Sequence, residues 1–238
     1  MVNQGFTPGI ELRFSIDSGA SGFNVTGMKI FSQPLGIAST NPYLFLDEEL
    51  GKAVLFDAPE GTFDLVEEIR AENPFELEAL YLTHGHYDHM LDGWRFSEIG
   101  VPVYGHKDDQ LLFEQPDVQK VIAFGDMDLR PVKIDHWVTP GEPLEILGHS
   151  VEVRHVPGHC PGNILFYIPD QKLAIVGDAI FAGSYGRTDL PGGDIRILVN
   201  SIKNEIFTLP DETNLLSGHG PATSVEREKN TNPIVFEN

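Results

Sequence analysis

One cysteine, Cys160, occurs in 238 residues, so no disulfide can form within the chain. Residues 1–10 also lack the basic and apolar stretches of a secretion signal, and the pair of absences points to a reducing, cytoplasmic setting. No apolar run approaches the length needed to cross a bilayer, so no membrane partner is expected. Positive charge is short too: 16 Lys and Arg stand against 36 Asp and Glu, a formal net charge of −20. Nucleic acids are held by basic surfaces and are not expected partners. A small anionic substrate is not excluded, because bound divalent cations would concentrate positive charge at one point. Repeats of fixed period, low-complexity tracts and linkers are missing as well. A hydrophobic share of 41% and a charged share of 22% then describe one globular α/β domain over 1–238 with a well-buried core. Residues 1–28 carry no recognisable role, and nothing in the chain specifies an oligomeric state.

What is present is a series of short apolar runs separated by turn formers. Runs at 29–32, 43–46, 54–57, 80–83, 101–104, 164–168, 173–176 and 215–216 read as strands. The run 146–154, broken at Gly148, reads as a hairpin. Thr62 can cap a helix whose one face carries Leu65, Val66 and Ile69 and which Asn73-Pro74 stops. Asp194 can start a second, with Ile195, Leu198, Val199, Ile202 and Ile206 along one side. Segment 106–136 is irregular. It reads either as a helical insertion near a site or as a surface excursion without a role.

The chemistry gathers at strand ends. After the run 80–83 comes His84-Gly85-His86-Tyr87-Asp88-His89, three imidazoles and a carboxylate in six residues. These are common ligands of zinc and similar divalent ions. If the segment is extended, His84, His86 and Asp88 share a face while His89 points elsewhere, towards a second ion. Three further strings each follow a strand: Pro157-Gly158-His159-Cys160-Pro161-Gly162, Gly177-Asp178, and Gly218-His219-Gly220-Pro221. Glycine and proline around each polar residue make tight turns that let backbone crowd close to an ion. Alone, a Gly-Asp or a Gly-His-Gly is an ordinary turn; four such strings in one chain point to one metal centre. His106, His136 and His149 have no such context. His155 suits a supporting role beside His159, and Cys160 suits a small buried residue better than a nucleophile.

In kind and order, Thr83–His89, Pro157–Gly162, Gly177-Asp178 and Gly218–Pro221 resemble the metallo-β-lactamase superfamily. The likeness spans about residues 29–221. It implies a four-layer αβ/βα sandwich with two mixed sheets and the metals at one edge. It further implies two divalent ions, zinc before iron or manganese: His84, His86 and His159 at the first, Asp88, His89 and His219 at the second, Asp178 between them. Within the superfamily the chain looks most like compact glyoxalase II-type hydrolases, through Phe181-Ala182-Gly183-Ser184-Tyr185-Gly186-Arg187-Thr188-Asp189-Leu190-Pro191-Gly192-Gly193. The expected activity is hydrolysis of a small thioester or ester by a hydroxide bridging the metals. Asp88 orients that hydroxide as the catalytic carboxylate, and Tyr185 and Arg187 are candidate substrate contacts. Rival readings on the same scaffold are a persulfide dioxygenase with one iron on His84, His159 and Asp178, and a lactonase or phosphodiesterase. The basic C-terminal domain of larger glyoxalase II enzymes has no counterpart after Pro221, where Arg227 and Lys229 are the only basic residues.

Overall fold

The computed structural model describes residues 27–123 and 127–237. Of the segment 1–28 left without a role, residues 1–26 lie outside the described residues, while Met28 is buried in the core.

Two six-stranded sheets form the frame. The first contains β1 (Lys29–Phe31), β2 (Tyr43–Asp47), β3 (Lys52–Phe56), β4 (Glu76–Tyr81), β5 (Val103–Gly105) and β6 (His136–Trp137), adjacent in that order. Pairing is antiparallel from β1 to β3 and parallel from β3 to β6. The second contains β7 (Leu144–Ile146), β8 (His149–His155), β9 (Ile164–Ile168) and β10 (Leu173–Gly177). A hairpin of β11 (Ile180–Phe181) and β12 (Ser184–Tyr185) intervenes before β13 (Asn214–Ser217) and β14 (Thr223–Ser224) complete it. Its spatial order is β14-β13-β10-β9-β8-β7, parallel only between β10 and β13. Both sheets are mixed, as the family likeness implies.

Residue alternation sorts the core into layers. On β2 and β3, Tyr43, Phe45, Val54 and Phe56 face the other sheet, where they meet Val153, Phe166 and Ile175. The Phe56 ring lies 5.1 Å from Phe45 and 5.2 Å from Phe166, bridging the sheets. Burying each such ring contributes about 1.5–3 kcal/mol. The alternate residues Leu44, Leu46, Ala53 and Leu55 face outward against α1 (Thr62–Glu72) and α3 (Gly93–Glu98). The outer face of the second sheet is covered in the same way by α5 (Ile195–Ser201) and α6 (Val225–Thr231), through Leu198, Val199 and Val225. Because both faces are buried, the strands read as continuous apolar runs instead of alternating ones. The result is the αβ/βα sandwich.

Two local expectations need adjustment. Thr62 is the first residue of α1 and does not cap it: Gly61 (φ 92°) is the cap position, and Thr62 Oγ1 is buried without a hydrogen-bond partner. The capping carboxylate comes from Asp92, whose Oδ2 accepts from Gly61 N and Phe63 N, each at 3.0 Å. Asp194 does cap α5, its Oδ1 accepting from Arg196 N at 2.8 Å and Ile197 N at 3.3 Å. The predicted hairpin forms between β7 and β8 around Leu147 (φ 49°) and Gly148 (φ 79°). Positive φ at both turn positions gives the twist that suits a two-residue hairpin.

Candidate metal centre

Every one of the four strings leaves a strand at the same edge of the sandwich. β4 leads to His84 and His86, β8 to His159, β10 to Asp178 and β13 to His219. The expected alternation holds for His84 and His86 and fails at Asp88. At Tyr87 the chain turns into a short helix, α2 (Tyr87–Met90), so Asp88 and His89 project from a helical turn. Gln119 produces that turn: its Oε1 accepts from Tyr87 N at 2.8 Å, and its Nε2 donates to Gly85 O at 2.9 Å.

All seven predicted positions are brought together. Ligand atoms of His84, His86 and His159 lie within 4.8 Å of one another; so do those of Asp88, His89 and His219, and those of His84, His89 and Asp178. Asp178 connects the sets. Its Oδ1 is 3.3 Å from His89 Nε2, and its Oδ2 is 3.6 Å from His159 Nε2 and 3.2 Å from His219 Nε2. His86 Nδ1 and His159 Nε2 approach to 2.8 Å.

Outside the cluster, each ring but that of His86 is held by its other nitrogen. His84 Nδ1 lies 3.1 Å from Thr83 Oγ1, and His89 Nδ1 lies 2.8 Å from Asp57 Oδ2. His159 Nδ1 lies 2.8 Å from the Arg187 carbonyl, and His219 Nδ1 lies 3.4 Å from that of Ser39. Such partners set ring orientation and tautomer, which leaves the inward nitrogens available. Asp88 Oδ2 accepts from Thr40 Oγ1 at 2.8 Å.

Burial and charge divide the cluster. Burial and the neighbouring His89 and His86 rings hold His84 well below the ordinary imidazole value. Burial and His159 bring His86 down to about 3. At His89 burial pulls the same way, yet Asp178, Asp57 and Asp88 win and raise it well above the ordinary value. At His219 burial is outweighed by Asp178 and Asp88, which push it up to about 10. The carboxylates answer in kind: against burial, His89 and His219 bring Asp88 down to about 2 and hold Asp178 well below its usual range.

A cation fits this donor set. His84 Nε2, His89 Nε2 and Asp178 Oδ1 are buried without hydrogen-bond partners, an arrangement costly unless something charged satisfies them. The backbone is crowded up to the cluster as well. A methyl group at Gly218 would collide with Asp178 Oδ1 and the His89 ring.

The cleft beside these residues is lined by Ala38, Tyr87, Ile122, Arg187 and Leu190 together with the cluster. Arg187 therefore sits where a substrate contact was expected, but its guanidinium is engaged by Asp189, at 2.7 Å and 2.8 Å. Tyr185 does not line the cleft. Its ring packs with the second sheet's outer core and its hydroxyl is 3.1 Å from Glu237 Oε1.

Several residues that hold the cluster in place were not singled out in the sequence. Asp57 Oδ1 accepts from Thr83 N at 2.8 Å while Oδ2 holds His89. Asp109 accepts from Gly85 N at 2.8 Å, Gly162 N at 2.7 Å and Cys160 Sγ at 3.2 Å, clamping two of the ligand loops together. Burial and Asp109 push the Cys160 thiol well above its ordinary value, which makes it no nucleophile. Segment 106–136 contains α4 (Gln110–Glu114) and short 3-10 turns, and it supplies both Asp109 and Gln119. Asp57 had one sequence signal, its place at a strand end. His155 supports the site as expected, its Nε2 lying 2.7 Å from Pro161 O, with its ring stacked on His106.

A buried His/Asp cluster at one edge of an αβ/βα sandwich, opening on a small cleft, is the centre of a metallo-hydrolase. The metallo-beta-lactamase superfamily matches over residues 36–219, and the chain belongs to it. Hydroxyacylglutathione hydrolase GloC of Haemophilus influenzae is 34% identical over 211 residues, covering 87% of this chain and 98% of that protein. The structure of the BLEG-1 B3 metallo-beta-lactamase has a TM-score of 0.75 at 32% identity, covering 87% of this chain and 99% of the other. That of TTHA1623 in a di-iron-bound form has a TM-score of 0.75 at 33% identity, covering 85% and 98%. Among the described residues no helix is long and apolar enough to cross a membrane.

Proposed function

We propose that the chain is a thioester hydrolase of the hydroxyacylglutathione hydrolase type, working with two divalent ions, zinc before iron or manganese. The observation that carries this reading is the second ligand set. Asp88, His89 and His219 converge beside His84, His86 and His159, with Asp178 in reach of both. The similarity to GloC points the same way.

Ions held there would supply Lewis acidity and a water whose pKa is drawn towards neutrality. The chain's own residues supply position and proton handling. Asp88, fixed by the Thr40 hydroxyl and aimed between His89 and His219, orients the attacking water and can accept its proton. Asp57 keeps His89 turned inward. Beyond the two sets and Asp178, the cleft lining offers, among the described residues, Tyr87 and Arg187 as titratable groups. That suits a thiolate leaving group, which departs without needing a strong acid.

The test combines elemental analysis of the purified protein with thiol release from a panel of thioesters. Two equivalents of a divalent metal and metal-dependent thiol release are expected. One equivalent of iron, with oxygen consumed on a persulfide and no thioester cleaved, would replace this reading with the dioxygenase.

A further inference from the structure

A second cavity, of about 310 Å3, opens beside the metal cleft. Leu112, Val118, Val121 and Ile122 form one wall, and Leu190 and Pro191 form the other. His86, Ile122 and Leu190 line both spaces, so cavity and cleft are continuous. Among the described residues the lining contains no lysine or arginine; its carboxylates are Asp108 and Asp109, the second already committed to backbone N–H groups.

Exposure at this mouth is unusual. Leu111, Val118 and Val121 are 54%, 46% and 85% exposed, and all three belong to this one cavity. Single exposed apolar residues need no explanation, but a group of them rimming a cavity marks a surface that something apolar covers. Continuity with the cleft says what that is. An occupant would lie within reach of the metal set through His86, and so belongs to the molecule being cleaved.

Charge argues against a glutathione moiety there. Glutathione carries two carboxylates and one ammonium, and would need a cation to meet it. Among the described residues Arg187 is the one basic side chain lining the cleft, and it is engaged by Asp189.

We propose that this cavity receives an uncharged aliphatic or aryl group flanking the scissile carbonyl, which makes apolar thioesters the substrate class. The inference rests on the thioester-hydrolase reading and specifies what that reading leaves open. Leu112, Val121 and Ile122 are then specificity-determining residues.

The experiment uses the metal-loaded full chain and two series of thioesters. One runs from acetyl to octanoyl on a single small neutral thiol; the other keeps the acetyl group and lengthens the alkyl thiol. In one series kcat/KM rises about threefold to fourfold per methylene until the cavity is full. Lactoylglutathione falls below the longer members, and Val121→Asp lowers the octanoyl-to-acetyl ratio, or its counterpart in the thiol series, by tenfold or more. Flat rates in both series, a preference for lactoylglutathione, or an unchanged ratio in Val121→Asp would each overturn the proposal.

A second measurement reads the cavity without chemistry. Titration with 2-nonanone, an uncharged ketone that cannot be hydrolysed, shifts the Leu112 and Ile122 methyl resonances in the parent chain and not in Val121→Asp. Absence of that shift overturns the cavity assignment whatever the rates show, as does a dimer in solution that Val121→Asp abolishes. No thiol release from any thioester, with the methyl shift intact, overturns the hydrolase reading and leaves the apolar subsite standing.

Discussion

The two ligand sets are neighbours with opposite electrostatics. His84, His86 and His159 contain no carboxylate of their own, and burial and mutual repulsion hold His84 and His86 far below the ordinary imidazole value. His84 and His86 are proton-free donors at neutral pH. In the second set Asp178, Asp57 and Asp88 outweigh burial and raise His89, and Asp178 and Asp88 raise His219. A cation entering the second set must displace protons; one entering the first need not. The difference predicts that the first set fills more readily and that the second responds more strongly to pH.

The sharpest way to break that contrast is to remove what the sets share. Asp178→Asn should lower metal content at both sets and reduce thioester kcat/KM by about a thousandfold or more. His219→Ala should instead leave one equivalent bound, read by elemental analysis. Equal metal loss in the two variants would mean that the sets are not separable.

Asp109→Ala tests the scaffold beneath both. It leaves the buried N–H groups of Gly85 and Gly162 unpaired, a cost of roughly 2–6 kcal/mol in urea unfolding at about 1–3 kcal/mol per group. A change under about 0.5 kcal/mol would show that the clamp is dispensable.

Asp57→Asn acts on the second set alone, through the orientation of His89. Metal affinity there should fall about 10–100-fold while the first set keeps its own. Competition with a chelator would resolve the two affinities, and matched losses would contradict the division.

The smallest effect is the pH dependence of stability in the metal-free protein. His219 rises from 6.5 to about 10 on folding, so its contribution is complete below about pH 6.5 and is lost as pH climbs through 10. Asp88 falls from 3.8 to about 2, so its contribution is complete above about pH 4 and is lost as pH drops through 2. His84 and His86, held below 6.5, cost stability as pH falls beneath that value, so calorimetry in a chelator should find the highest Tm in a window around pH 6.5. Added divalent metal should raise Tm by an amount that grows with pH above that window, as protons leave His219. A metal-free Tm that climbs from pH 6.5 to 9 would show that the carboxylates do not hold that proton.

Much of this centre was legible as strings of residues. His84, His86, Asp88 and His89 stand within six positions, and His159, Asp178 and His219 each sit in a glycine-bounded turn after a strand. The parts that were not legible have partners far along the chain. Asp109 reaches Gly85 and Gly162, which lie 24 and 53 residues away. Gln119 bonds Tyr87, which lies 32 residues away, from a segment whose pattern is irregular. The cap of α1 was misplaced for the same reason: Thr62 satisfies the local rule, but Asp92 already occupies the free N–H groups.

By itself the sequence determined which side chains could bind a metal and that strands with two apolar faces would stack into buried layers. Both follow from local chemistry, the donor atoms of histidine and aspartate and the two-residue period of a strand. Only the tertiary structure decided that His84 and His86 are held low while His89 and His219 are raised. That division depends on which carboxylates lie within a few ångströms of which imidazole: Asp57 reaches His89 once β3 and β4 have paired, and Asp178 only once the two sheets have packed face to face.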